Sequence, residues 1–377
     1  MRATVFTDEA LTRQAGRFVW LAMDTEKAAN AWFRTKYTVE ALPTFFVVDP
    51  ETDSPALKWV GGASVAQLAK ILDDGTRAVA KHGEGRDRAM AAADRLFAAG
   101  KNKEAMEAYR DVLAKAPKSW KSWGRATESL LFAMSRSGEN EACAVTARDA
   151  FPSLAKTASA ANVAASGLGC ALELKAEEPR RAELVAALLK DARAVLADTT
   201  TRIAPDDRSG LYETLVQERD EAKDEEGKKK VAAEWAAFLE GVVAKLKAPE
   251  ARTAFDSHRL GAYIEMGSPE KAVPMLLESE RALPDDYNPP ARLALAYKAM
   301  GRFDEAIAAS DRALARVYGP RKITVLRARA DIFMAKGDKV AAKETIQRAL
   351  EAAEALPEGQ RSEGLISSLK KKLASMS

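Results

Sequence analysis

Thiol, imidazole and glycine-loop chemistry are the first possibilities to weigh, and the chain offers little material for any of them. It carries two cysteines, Cys143 and Cys170, and two histidines, His82 and His258. The cysteines form neither a C-x-x-C pair nor a zinc pattern. A structural zinc site needs about four N, S or O ligands at suitable spacing, and none are grouped that way. Cys143 and Cys170 both lie in small-residue helical contexts. Each is therefore expected to be a buried free cysteine acting as a small hydrophobe, not a nucleophile. His82 sits in a Gly- and charge-rich linker, and His258 falls on a predicted helix as a packed or surface residue. Spacing alone does not exclude a Ser-His-Asp arrangement, but neither histidine has a context that points to one. Gly167 and Gly169 make a G-x-G that lacks the third glycine and the preceding strand of a dinucleotide site. No catalytic residue, metal or cofactor is assigned.

Function must then come from the elements themselves. A chain of 377 residues should hold two or three domains. Hydrophobic residues make up 47%, charged residues 30%, and alanine is abundant while aromatics are few, a balance that leans helical. The net charge of +3 is nearly balanced and shows no clustered basic face, so no nucleic-acid partner is expected. Lys228, Lys229 and Lys230 follow an acidic stretch and read as a solvated helix surface. No apolar run approaches the roughly 18 residues that would span a bilayer, so no membrane span is expected. Without a signal peptide at its start, the chain as it stands is expected to be cytoplasmic.

The C-terminal part repeats. Gly267, Gly301 and Gly337 are each preceded at four residues by an aromatic (Tyr263, Tyr297, Phe333) and followed at five by alanine (Ala272, Ala306, Ala342). Twelve residues after each glycine comes a small residue: Ser279, Ala313 and Ala349. A pair of antiparallel helices needs these types: an aromatic between the helices, glycine for a positive-φ turn, and small residues for close approach. A weaker unit is seen in Leu96, Gly100, Ala105, Tyr109 and Pro117, and another turns at Gly138 with Cys143 in the alanine position and Pro152 at its end. Leu260-Gly261-Ala262-Tyr263, Ala272, Leu276 and Pro284 resemble the tetratricopeptide repeat family, although no Trp fills the consensus Trp position and the first block is shifted by one.

The first eighty residues differ. Phe18–Met23 is expected to be a buried strand, Asp24 or Thr25 to cap a helix running through Tyr37, and Phe45–Val48 and Leu57–Val60 to be two further strands joined by a hairpin. Ser64-x-x-Gln67 reads as a capping box opening a helix to about Leu72. The run Tyr37 to Pro50, with Pro43-Thr44-Phe45-Phe46-Val47-Val48-Asp49-Pro50, followed by Trp59-Val60-Gly61, resembles the C-terminal portion of the thioredoxin fold. That resemblance implies a cis peptide before Pro43 and substrate contact at Leu42 and Pro43. It also implies a strand and a C-x-x-C helix start that would precede Met1-Arg2-Ala3-Thr4-Val5-Phe6-Thr7-Asp8. Met1 is accordingly expected to be an internal methionine of a longer protein. The other explanation is a partial domain repaired by strand pairing or by a partner chain.

Together these expectations give a mainly α chain: a tetratricopeptide-like α-solenoid with an N-terminal incomplete α/β thioredoxin-like domain. The parts are 1–75 (partial thioredoxin-like), 76–88 (linker), 89–153 (repeats), 154–250 (irregular helical pairs continuing the solenoid) and 251–377 (three repeats and a capping helix). The expected role is a protein-interaction scaffold that holds a protein or peptide partner in its groove, with Asn288, Arg292, Lys298 and Arg327 as candidate groove residues. The chain as it stands has no C-x-x-C and is not expected to be an enzyme. In a longer, periplasmic or secreted form the alternative is a thiol–disulfide oxidoreductase. An assembly adaptor with a vestigial first domain is the third possibility.

Overall fold

Five glycines set the architecture. Gly100, Gly138, Gly267, Gly301 and Gly337 all have positive φ, between 71° and 89°, and each lies between two helices. A side chain at such a position would strain the backbone, which is why the spacing of glycine was informative. The computed structural model describes residues 5–80 and 85–376. His82 and Met1 to Thr4 lie outside them.

In chain order the helices are α1 (Ala31–Lys36), α2 (Val65–Val79), α3 (Arg86–Ala98), α4 (Asn102–Lys115), α5 (Trp123–Arg136), α6 (Asn140–Leu154), α7 (Ala160–Leu172), α8 (Arg181–Ala197) and α9 (Pro205–Glu221). They continue with α10 (Glu225–Val243), α11 (Pro249–Thr253), α12 (Asp256–Glu265), α13 (Ala272–Ala282), α14 (Asn288–Ala299), α15 (Phe303–Leu314), α16 (Pro320–Lys336), α17 (Lys339–Glu354) and α18 (Glu363–Ala374). Among the described residues there is one sheet, an antiparallel pair of β1 (Thr44–Asp49) and β2 (Ser54–Val60). The fold is mainly α, a tetratricopeptide-like solenoid with a small two-stranded sheet near its N-terminus. The chain divides into two units: 5–18 with 37–228, and 19–36 with 229–376.

In the first unit, β1, β2 and α2 enclose a core of Val47, Leu57, Trp59, Leu68, Ile71 and Leu72, joined by Val5 and Leu11. The capping box forms as expected: Gln67 N donates to Ser64 Oγ and Ser64 N to Gln67 Oε1. The helix it opens runs on to Val79, past Leu72, because Ile71, Gly75 and Ala78 continue the buried face. Gly75 is required there, since a Cβ would meet the Val47 side chain at 2.5 Å. β2 and α2 both pack on α3, so the hairpin module and the first helix pair share an interface. At that interface Lys58 is wholly buried. Its Nζ donates to Glu40 Oε2 at 2.6 Å and lies 4.8 Å from the centre of the Phe97 ring. Burial raises the Glu40 carboxyl, but Lys58, Asn102 and Arg136 outweigh it and hold the group below its ordinary value.

The expected strand at Phe18–Met23 does not form. This stretch is irregular, with Val19 and Leu21 largely exposed. An apolar run becomes a strand only when another strand satisfies its backbone, and β1 is paired with β2 alone. The segment from Val19 to Lys36 belongs instead to the second unit. There Tyr318 donates to Asp24 at 2.5 Å, Arg321 to Glu26 at 2.7 Å, and Gln360 Nε2 to the carbonyls of Thr25 and Lys27. The expected helix through Tyr37 is reduced to a 3-10 turn at Ala28–Asn30 and α1, because the preceding residues spend their carbonyls on these tertiary bonds.

A second correction concerns the cysteines. Cys143 and Cys170 are not free thiols: their Sγ atoms are bonded at 2.10 Å across α6 and α7, with Cα atoms 6.0 Å apart. These neighbouring helices are joined by the turn at 155–159, and the two cysteines lie at similar distances on either side of it. Both are buried, as expected, so the bond is sealed inside the helix pair.

Candidate functional site

The regular repeats lie in the second unit, where α12/α13, α14/α15 and α16/α17 are the three helix pairs. Their alanine positions Ala272, Ala306 and Ala342 are fully buried, as are Ala313 and Ala349, which lets each second helix sit close against its first. α12 packs on α14 and α14 on α16, so the first helices of successive pairs form one layer.

Charged side chains gather on the first two members of that layer. Asp256, on α12, is buried and accepts from Ser279 Oγ at 2.6 Å. Burial raises its carboxyl, against the pull of Ser279, Arg292 and Arg259. Arg259 lies 4.0 Å from Asp256, and its buried Nε makes no hydrogen bond. A cavity of about 180 Å³ opens here, walled in part by Arg252, Asp256, Arg259, Glu278 and Ser279.

Arg292, on α14, is half-buried and feels Asp256, Asp286 and Tyr287, yet its guanidinium makes no hydrogen bond or ion pair among the described residues. Burial lowers its pKa, and those neighbours do not make up the loss. A desolvated cation with incomplete compensation gains when an anion arrives. Asn288, one turn earlier, donates its backbone and side-chain nitrogens to Asp286 Oδ1 at 2.8 Å. The structure thus brings Asn288 and Arg292 together around Asp286. Lys298 is half-buried near the end of α14 and Arg327 is exposed on α16. Neither makes a hydrogen bond or ion pair with the other candidates.

Leu42 and Pro43 are exposed in the loop before β1, and the peptide between them is cis, as the thioredoxin resemblance implied. The Pro43 carbonyl accepts from Gly61 N at 2.9 Å, closing the loop onto the end of β2. No cysteine is near this loop in sequence, and the chain's two cysteines are paired with each other.

Arg259 and Asp256 were missed in the sequence, although one signal was present. Arginine stands four residues before the repeat aromatic in Arg259–Tyr263 and Arg329–Phe333. In the structure each guanidinium lies near that ring, 6.0 Å and 5.1 Å from its centre. His258 is a packed histidine, edge-on to Trp235 with ring centres 6.3 Å apart.

With this geometry in place, the comparisons with known proteins bear on the repeats. The family model of the tetratricopeptide repeat matches residues 287–355, which span α14 to α17. Among solved structures, a tetratricopeptide repeat protein from Parabacteroides merdae is similar at 14% identity, covering 78% of this chain and 100% of that one with a TM-score of 0.48. The C-terminal part of a TPR repeat-containing protein from Cytophaga hutchinsonii is similar at 13% identity, over 72% of this chain and 97% of that one, with a TM-score of 0.40. The TPR2AB domain of yeast Sti1, solved in a pHSP90 complex, is similar at 18% identity, over 77% and 98%, with a TM-score of 0.28. No curated protein matches the chain. No helix among the described residues is long and apolar enough to cross a membrane.

Proposed function

We propose that the protein is an interaction scaffold whose regular repeats bind an extended, acidic peptide segment of a protein partner along the layer of first helices. One observation carries this reading: Arg292 is half-buried without an ion pair, and it shares the neighbour Asp256 with Arg259, whose buried Nε is unused. A carboxylate reaching Arg292 would supply the partner it lacks. Asn288 supplies polar contact beside it, and Lys298 and Arg327 extend the positive charge along α14 and α16.

In the same reading the hairpin and α2 are the C-terminal portion of a thioredoxin-like domain, with exposed Leu42 and Pro43 where an extended substrate backbone would lie. The antiparallel β1–β2 pair followed by α2 supports it. In this reading the chain as it stands is not a thiol-exchange enzyme, since exchange requires a thiolate and its two cysteines are bonded to each other. The oxidoreductase alternative belongs only to a longer form with a C-x-x-C. The Cys143–Cys170 bond favours an oxidising compartment, periplasmic or extracellular, over the cytoplasm.

The test is fluorescence anisotropy with a labelled octapeptide of alternating Glu and Ala and its Lys/Ala counterpart. The acidic peptide should bind, and Arg292→Gln should weaken it by about tenfold or more, the usual scale for losing one partner of a desolvated charge pair. Equal binding of the lysine peptide, or no change in Arg292→Gln, would reject the reading.

A further inference from the structure

A second cavity, of about 360 Å³, lies within the first unit between α2, the turn from α4 to α5 and the turn from α6 to α7. Its size falls in the range of small-molecule sites. Three of the chain's six tryptophans, Trp59, Trp120 and Trp123, contribute to its wall, in a protein otherwise poor in aromatics.

The polar groups of this wall are unevenly satisfied. The Trp59 indole donates to the Gly62 carbonyl at 2.9 Å. Trp123, only 7% exposed, has no partner for its buried Nε1–H. Gln67 spends its Oε1 on Ser64, while its buried Nε2 has no partner. Two donors on the same wall are therefore unused, each a desolvated group that costs stability until something accepts from it.

Both carboxyl groups on the wall already hold hydrogen bonds. Asp74 is held by Arg125 at 2.7 Å and by Arg77. Glu128 accepts from Asn162 at 2.8 Å. Lys118 and Lys121 are exposed at the α4–α5 turn, and the Arg86 guanidinium lies 5.6 Å from the centre of the Trp120 ring. The site thus offers flat apolar faces, two neutral buried donors and positive charge nearby.

We propose that this cavity binds a small, flat monocarboxylate, its ring against the tryptophans and its carboxylate drawn to the Trp123 Nε1–H and Gln67 Nε2 donors, which are closed to water until the ligand turns them toward it. The site lies wholly in the first unit and does not depend on peptide binding by the repeats.

Isothermal titration of the full chain with 2-naphthoate, and with 2-naphthamide as the uncharged control, tests the assignment. Naphthoate should bind at least tenfold tighter than the amide. Trp123→Phe, which keeps an aromatic wall but removes the N–H, should weaken naphthoate about tenfold. Lys121→Gln, at an exposed position that cannot unfold the site, should weaken it a few-fold. Absence of naphthoate binding at millimolar concentration, equal affinity for the amide, or indifference to both substitutions would overturn the proposal. A short peptide ending in phenylalanine that bound more tightly than naphthoate would also overturn it, by making a polypeptide end the ligand.

Discussion

The two units solve the same packing problem by different means. In the second, three regular helix pairs close on small residues: alanine at the fifth position after each turn glycine is fully buried, and ion pairs such as Arg312–Glu280 are partly solvated. In the first, the helices are less regular and are fastened by polar and covalent locks. Arg125 bridges Asp74 and Asp94, Tyr109 donates to Asp94 at 2.7 Å, Lys58 is buried on Glu40, and Cys143 is bonded to Cys170. Repetition lets one steric rule serve every interface. Where the repeat decays, each interface needs its own specific group.

The sharpest way to break this contrast is to remove a lock. Arg125→Met would leave the Asp74 and Asp94 carboxylates buried without their shared cation, and should cost about 3–5 kcal/mol. Arg312→Met in the second unit should cost less than about 1 kcal/mol, since that pair is partly solvated. Urea unfolding of both variants checks the difference. Next in size is the disulfide. Reduction should release two thiols, countable in denaturant, and lower stability by about 2–4 kcal/mol.

A pH effect should follow. Burial pushes Glu128 up to about 7, against Ser159, Asn162 and Arg125, and Asp207 is also raised, by burial and then by Glu128 and Asp206. Between the ordinary carboxyl value and 7 the folded state holds a proton that the unfolded chain has released. Stability from Glu128 is therefore present below about pH 4.5 and is lost as pH rises through 7. Melts of Glu128→Gln against the parent across pH 4–8 should show that slope removed, on the order of 1–3 kcal/mol in total. Of similar or smaller size is Gly301→Ala, where a side chain must adopt φ 71°, at a cost of about 1–2 kcal/mol, read from the same urea unfolding.

The sequence made some of this legible, and the reasons are physical. Gly267, Gly301 and Gly337 with their alanines were readable because a positive φ and a close helix approach admit few residue types. Phe18–Met23 was misread because strand identity depends on a pairing partner that no local pattern reports. The Cys143–Cys170 bond was missed by treating each cysteine alone. Counting outward from the turn at 155–159, as an antiparallel helix pair requires, places the two opposite one another. Arg292 was picked by repeat offset, whereas Arg259 needed the Arg-x-x-x-aromatic spacing to be seen. The Trp123 and Gln67 donors were not legible at all, since an orphaned N–H exists only once the surrounding atoms are placed.

Amide hydrogen exchange of the full chain, with and without the acidic octapeptide, tests the central claim most directly. The account predicts slowed exchange in α12, α14 and α16, the layer that carries Arg259, Arg292 and Arg327, with α13, α15 and α17 unchanged. Protection confined to the second helices, or none at saturating peptide, would contradict it.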